Sequence, residues 1–352
     1  MKIGWRGAFG LVLSAALLWW TLRGVDLHEV WLLLRASNVA LFLAAATAGT
    51  LIFPLRARRW RTILDPVAPG LPLGALWRAV AIGMMANNVI PARVGEVARA
   101  YALTREQPRV PFSAAFASIA VDRVFDALVL FLLMFLALLD PALPAGTRIA
   151  GQSVVTLAGG GTLVIAGLFA AFYCVVIFPA RLIAIFEFFA RRVAPRYEER
   201  GREALLAFAS GLSVLRSPRR FAAVLWWTLL HWLLNAFAFW LGFRAVGIAA
   251  PFSAALFLQG LIAIGVAVPA SPGFFGIFEA LATVGLAAYG VGANQAVGWA
   301  IGYHLLSFVP ITVLGAWYFT RLGLHFQELG EPARQDSHLD DGGGPARESS
   351  GG

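Results

Sequence analysis

Charges embedded in apolar sequence are the residues of this chain best placed to do chemistry. A break at Asn87-Asn88-Val89-Ile90-Pro91 is followed by Arg93, Glu96 and Arg99. On a helix opening near Pro91 these three lie three residues apart and share one broad face. Asp122, Arg123 and Asp126 fall in the first half of another apolar stretch, within an arc of about 100° at 3.6 residues per turn. Each charge at the centre of a bilayer costs roughly 2.5–3.5 kcal/mol on the insertion scale, so the cluster must be mutually paired or solvated in a cavity. Two readings stand side by side. In one, Arg93–Glu96 and Arg123–Asp126 are i,i+3 ion pairs that pin helices, although an apolar pair would do so at less cost. In the other, the arginines grip a phosphate in bidentate fashion and the carboxylates orient them.

A second break, Pro269-Ala270-Ser271-Pro272-Gly273, is followed by Gly276 and Glu279. Pro91 and Pro272 suit the first turn of a new helix, where a missing N–H costs nothing, and Ser271 suits an N-cap. Two helix N-termini would then aim N–H groups and positive dipole ends inward, an arrangement that favours an anion such as phosphate. His231, four residues before Asn235, and His304, beside Tyr303, read first as helix–helix hydrogen bonds. The run Gly159-Gly160-Gly161 reads as close helix packing. No H-E-x-x-H or G-x-S-x-G is present, so metalloprotease and α/β-hydrolase chemistry gain no support.

The elements that must position these residues are set by composition. The chain has 352 residues, 59% hydrophobic and 13% charged, with mean hydropathy +0.75. Soluble domains carry roughly 25% charge, so a polytopic membrane protein is expected. Lys2 is the only lysine among 28 basic residues, which excludes a P-loop ATPase and a lysine Schiff-base enzyme. The lone Cys174 excludes an intrachain disulfide and a multi-cysteine metal site. No metal or cofactor is expected.

Apolar runs predict six spans, over residues 7–22, 38–55, 112–139, 154–178, 221–243 and 294–320. Arg56, Arg58, Arg59 and Arg61 follow the second span, a basic block fills residues 181–220, and Arg321 follows the last. This asymmetry predicts both termini in the cytoplasm, a cell-membrane location and attraction to anionic lipids rather than to nucleic acid. Single crossings at the two breaks would invert the asymmetry, so both are expected to be re-entrant helical hairpins, entering from opposite sides. Span, hairpin, span then occurs twice, over residues 38–139 and 221–320, as an inverted repeat within a transmembrane domain of residues 1–322. Residues 180–220 are expected to form a cytoplasmic amphipathic linker, and residues 326–352 a disordered cytoplasmic tail.

The run from Asn87 through Pro91, Arg93, Gly95 and Glu96 to Arg99 resembles the hallmark of the lysylphosphatidylglycerol synthase transmembrane-region family, the flippase-like domain proteins. Ser118 with Asp122-Arg123-x-x-Asp126 resembles that family's Glu-Arg-x-x-Asp element, with aspartate in place of glutamate. Pro269-x-Ser271-Pro272-Gly273-Phe274-x-Gly276-x-x-Glu279 resembles a third element, with Phe274 where a second glycine is usual. The resemblance implies a membrane domain that moves or handles an anionic or headgroup-modified lipid. The aminoacyl transfer of the bifunctional synthases is not expected, because only a short polar tail follows the last span.

The resulting expectation is an all-α protein that translocates an anionic phospholipid or lipid-linked precursor between leaflets without ATP. Arg93, Arg99 and Arg123 would hold the phosphate. Asn87, Asn88, Ser271 and the backbone after Pro91 and Pro272, including Gly273 and Gly276, would complete the site. Glu96, Asp122, Asp126 and Glu279 would balance charge or exchange protons. The rivals are a membrane-embedded headgroup transferase with Asp122 or Asp126 as base, and a scaffold presenting lipid to a separately encoded enzyme.

Overall fold

The computed structural model describes residues 5–90, 94–143, 148–149, 152–193, 199, 201–202, 206, 217–266 and 271–325. It is helical apart from one minimal hairpin, in which Arg148–Ile149 pairs antiparallel with Gln152–Ser153. The first helices are α1 (Trp5–Leu22), α2 (Leu27–Arg35) and α3 (Val39–Leu64), followed by α4 (Leu73–Val89), α5 (Gly95–Glu106) and α6 (Phe112–Leu138). After the strands come α7 (Val154–Ile177), α8 (Pro179–Val193) and α9 (Pro218–Ala245). Then come α10 (Phe252–Gly265), a single 3-10 turn (Pro272–Phe274), α11 (Ile277–Ala287) and α12 (Ala293–Arg321).

Local chemistry sets several helix starts. Asp26 caps α2 by accepting from the N–H groups of His28 and Glu29, at 2.8 and 3.2 Å, and Asn38 caps α3 by accepting from Leu41 N–H at 3.1 Å. Among the described residues, α3, α9 and α12 are long and apolar enough to cross a membrane. Their outward faces carry large apolar side chains that a water-facing surface would not group together: Leu43 is 56% exposed, Leu51 53% and Val313 62%. α6 matches them in length, at 27 residues, but contains Asp122, Arg123 and Asp126.

α3 and α9 lie antiparallel along one seam. Asn38 N–H donates to Ala245 C=O at one end, and Arg220 pairs with Asp65 at the other. From the Asp65 end, α4 runs inward and α5 returns, since Arg78 near the start of α4 bonds Glu106 at the end of α5 (3.0 Å). Gly83 permits that crossing: a Cβ there would fall 2.7 Å from Gly95 C=O and 2.8 Å from Arg99 Cβ. From the Ala245 end, α10 and α11 form a second antiparallel pair, with Gly265 against Ile277 and Leu281, and Gly285 against Leu258. α6 and α12 follow their respective hairpins. The α4–α5 end of the core is built on Trp60, Leu64, Leu76 and Ile82, and the α10–α11 end on Phe239, Phe243, Trp299 and Tyr303.

Three expectations need correction. α3 does not stop at residue 55: it continues nine residues through Arg56, Arg58, Arg59 and Arg61. The helix after the first break begins at Gly95 rather than near Pro91. Pro272 opens only the 3-10 turn, and the following helix begins at Ile277, with Gly276 rather than Ser271 in its N-cap position. Pro91 and Arg93, most of the amphipathic stretch at 196–215, and the tail at 326–352 lie outside the described residues. In the glycine run, Gly161 meets the ring of Phe135, while Gly159 and Gly160 face open space.

Candidate functional site

α3, α5 and α6 bring four arginines around three carboxylates. Asp122 and Asp126, one turn apart on α6, face Arg59 on α3, whose side chain is 0% exposed. Arg59 Nε lies 2.6 Å from Asp122 Oδ1, and Arg59 Nη1 lies 2.6 Å from Asp126 Oδ1. Thr228 on α9 accepts from Arg59 at 3.2 Å. Arg99 on α5 donates to Asp122 Oδ2 at 3.0 Å and lies over the ring of Trp60, 3.9 Å from its centroid. Trp60 in turn donates to Ser118 Oγ at 2.8 Å, and Trp232 donates to Asp126 Oδ1 at 2.9 Å.

The outer part of the network is more open. Arg123 is 43% exposed and reaches Glu96 Oε1 on α5 at 2.6 Å and Asp126 Oδ2 at 3.5 Å. Arg56 is buried between the two parts, at 3.7 Å from Asp122 and 3.8 Å from Asp126. Its Nη1 donates to Met84 Sδ at 3.7 Å, while its Nε and Nη2 have no hydrogen-bond partner among the described residues. Arg56, Arg59, Arg99 and Arg123 against Glu96, Asp122 and Asp126 leave one positive charge in the described network.

This network forms one wall of a cavity of about 510 Å³, a volume in the range of small-ligand sites. Arg56, Asn87, Glu96, Arg123 and Asp126 make the polar wall. Leu130, Phe131, Ala263, Ile264 and Phe274 make the apolar wall. Ile264 is also 46% exposed, so the apolar wall reaches the outer surface of the protein.

The second break is built differently. Glu279, 2% exposed, accepts from Gly276 N–H at 2.6 Å through Oε2 and contacts His304 Nδ1 at 2.7 Å through Oε1. His304 Nε2 faces Gly273 C=O at 2.9 Å, so it carries a hydrogen and donates to that oxygen. A second proton must then lie between Nδ1 and the Glu279 carboxyl, since otherwise two lone pairs would face each other. Phe275, Phe278 and Phe308 surround the ring. Ser271 N–H donates to Ser14 Oγ at 2.9 Å, and Ser271 Oγ donates to Phe275 C=O at 3.0 Å.

Both breaks therefore cap their helices with the chain's own side chains. Gly95 N–H donates to Asn87 Oδ1 at 2.9 Å, and Gly276 N–H donates to Glu279. The expectation that these starts offer free N–H groups to a ligand is corrected at both glycines.

A family model described as "Lysylphosphatidylglycerol synthase TM region" matches residues 7–315. The chain belongs to that family. With its apolar helices, it is a multi-pass membrane protein of all-α build. It is 28% identical over 288 residues to a UPF0104 membrane protein of Methanothermobacter thermautotrophicus, covering 75% of this chain and 78% of that one. It is 24% identical over 328 residues to the UPF0104 membrane protein PH1989 of Pyrococcus horikoshii, covering 87% and 93%. It is also 33% identical over 154 residues to the glycosyltransferase AglD of Haloferax volcanii, but this match covers 44% of the chain and only 24% of AglD.

Of the residues singled out from sequence in this family member, the cavity wall takes Asn87, Glu96, Arg123 and Asp126. Arg99 and Asp122 are packed behind that wall. Asn88 turns to α12, donating to Thr312 Oγ1 at 2.7 Å. Ser271, Pro272, Gly273, Gly276 and Glu279 shape the second break, which among the described residues reaches the cavity through Phe274, with Val266 at the end of α10 beside it. His231 is buried, with Nδ1 3.3 Å from Ile52 C=O, and Asn235 donates to Gln259 Oε1 at 3.0 Å. Both are helix–helix contacts.

Arg56, Arg59, Trp232 and Phe274 were missed as site residues. A signal for the two arginines existed: Phe53, Ala57, Trp60 and Leu64 continue a helical apolar face straight through them.

Proposed function

We propose that this protein translocates an anionic phospholipid or lipid-linked precursor between leaflets without ATP, using the two-walled cavity as its substrate site. The observation that carries this reading is Arg56. Its guanidinium, buried 3.7 and 3.8 Å from Asp122 and Asp126, lines the cavity together with Arg123, beside an apolar wall that reaches the outer surface. A phosphate fits the first wall, because guanidinium groups bind phosphate oxygens in pairs. Acyl or polyprenyl chains fit the second. In this reading Arg56 and Arg123 hold the phosphate, and Asn87, Glu96 and Asp126 orient the arginines.

The membrane arrangement belongs to the same proposal: six spans, with the α4–α5 and α10–α11 hairpins re-entrant from opposite sides in an inverted repeat. The opposed starting ends of the two hairpins support it, as do helices of 11–17 residues, too short to cross singly. Termini in the cytoplasm and a cell-membrane location follow from arginine placement. A headgroup transferase using Asp122 or Asp126 as base is less well supported, because both carboxylates are held by Arg59.

The test is leaflet exchange of labelled phosphatidylglycerol in proteoliposomes. Arg123→Ala is expected to slow exchange by roughly one to two orders of magnitude, the loss of one or two charge-assisted hydrogen bonds. Arg123→Lys should recover only part of it. Unchanged exchange in Arg123→Ala would remove the phosphate-binding role, and chemical conversion of the lipid would replace the flippase by a transferase.

A further inference from the structure

A second cavity, of about 270 Å³, opens between the last turns of α3 and the first turns of α9. Among the described residues it shares no lining residue with the central one. Arg58, Arg61, Thr62 and Asp65 fall at i, i+3, i+4 and i+7, one face of α3, and Arg220 and Trp227 face them two turns apart on α9. In the same turns, on the buried faces of the two helices, Ile63 and Val224 belong to one apolar cluster, which backs the opening with packed core.

The charges in this opening do not balance. Arg220 donates to Asp65 at 3.3 Å, which accounts for one arginine and the one carboxylate. Arg58 has neutral partners: it donates to Thr62 Oγ1 at 3.3 Å and lies 5.4 Å from the centroid of Trp227. Arg61 has no side-chain hydrogen bond or ion pair with any described residue. Two positive charges therefore face one polar space. Both line the same cavity from positions three residues apart on α3, with Arg58 held by Thr62 and Trp227.

Depth identifies the anion. α3 has 26 residues and is about 39 Å long at 1.5 Å per residue, which exceeds the roughly 30 Å hydrocarbon core. With its apolar N-terminal part in that core, its last turns emerge at headgroup level. Trp226, 60% exposed, and Trp227 occupy the same level on α9, the depth at which tryptophan concentrates in membrane proteins. We infer that this cavity binds the phosphate of an anionic glycerophospholipid from the adjacent leaflet, with Arg58 and Arg61 as its ligands and the lipid chains lying along the outer face of α9. The inference does not depend on translocation, and the site is peripheral to the central cavity.

The experiment is native mass spectrometry of the full-length protein in detergent, titrated separately with phosphatidylglycerol, phosphatidylcholine and inorganic phosphate. Arg61→Gln is expected to weaken one phosphatidylglycerol by roughly tenfold, the effect of losing one charge-assisted hydrogen bond. The double variant Arg58→Gln/Arg61→Gln should hold one fewer phosphatidylglycerol at saturation, with phosphatidylcholine unchanged. Arg123→Gln, in the central cavity, should keep that lipid, which separates this site from the proposed transport site. A thermal melt checks that the variants fold, and both positions are only half-buried. Wild-type stoichiometry and affinity in the folded double variant would overturn the inference. Displacement of the lipid by millimolar inorganic phosphate in the wild type would overturn the lipid assignment, leaving a free-phosphate site.

Discussion

The two breaks occupy corresponding positions in the chain, yet they hold their shape by different physics. Around the first, ionic contacts dominate: Arg59, with no exposed surface, bridges Asp122 and Asp126, and Arg99 and Arg56 close the ring. Around the second, one carboxylate and one imidazole share hydrogen bonds with backbone inside an aromatic shell. The difference separates two tasks. Hydrogen bonds suffice to fix an irregular backbone, as Glu279 and His304 do at Gly276 and Gly273. Four arginines and three carboxylates exceed that need, and the open edge of the excess faces the central cavity. Charge is concentrated in the half where we place the phosphate.

Replacing a carboxylate by its amide tests this contrast, since it keeps the shape and removes the charge. Asp122→Asn should produce the largest effect. Asp122 is wholly buried against three arginines, and breaking a buried ionic group by removing one partner costs about 3–5 kcal/mol. The expected result is a large loss of folded protein in fluorescence-detected size-exclusion chromatography, with a depressed melting temperature in what remains. Near-wild-type melting would show that the inner network is not held by charge.

Glu279→Gln should do much less, because an amide can still accept from Gly276 N–H and donate to His304 Nδ1. Glu279→Leu removes both contacts and leaves buried groups without partners, a cost of about 1–3 kcal/mol. The expected order in thermal melts is wild type, Glu279→Gln, Glu279→Leu, then Asp122→Asn. If Glu279→Gln proves as damaging as Asp122→Asn, the second break depends on ionic charge after all and the contrast fails.

The sequence made the apolar scaffold legible and the charge partners only in part. Residues 221–243 and 294–320 lie within α9 and α12 because nothing but uninterrupted apolar sequence was needed to read them. Arg56 and Arg59 were assigned to a basic loop because arginines after an apolar run ordinarily mark its cytoplasmic end. Burial of Arg59 depends on Asp122 and Asp126, sixty and more residues away, and no local pattern in α3 announces them. The proline rule misplaced both helix starts for a different reason. Gly95 opens one helix and Gly276 caps the other: backbone passes close beside Gly95, and Gly276 takes φ of +86° just before Ile277. The Phe274 departure acquires a physical meaning in the same loop. Its φ of +62° lies in the left-handed region that glycine adopts freely, so this chain accepts a strained residue there and gains an aromatic ring on the cavity wall.

The smallest expected change in stability carries the most weight for function. Glu96 is 28% exposed and its partner Arg123 43%, so their 2.6 Å ion pair is screened by water and contributes at most about 1 kcal/mol. Glu96→Gln should therefore melt within a few degrees of wild type, unlike Asp122→Asn, although both substitutions delete one carboxylate from the same network. Its effect on exchange should be disproportionate. Without Glu96, Arg123 keeps among the described residues the 3.5 Å ion pair with Asp126 alone and is no longer drawn toward α5, so its guanidinium is no longer pre-oriented across the cavity. Loss of orientation in a binding group lowers affinity without touching the fold. The prediction is at least a severalfold slowing of phosphatidylglycerol exchange in proteoliposomes, with an unchanged melting temperature and unchanged yield. A Glu96→Gln protein that exchanges lipid at the wild-type rate would return Glu96 and Arg123 to a surface ion pair. A protein that loses stability and exchange together would merge the outer pair with the inner struts.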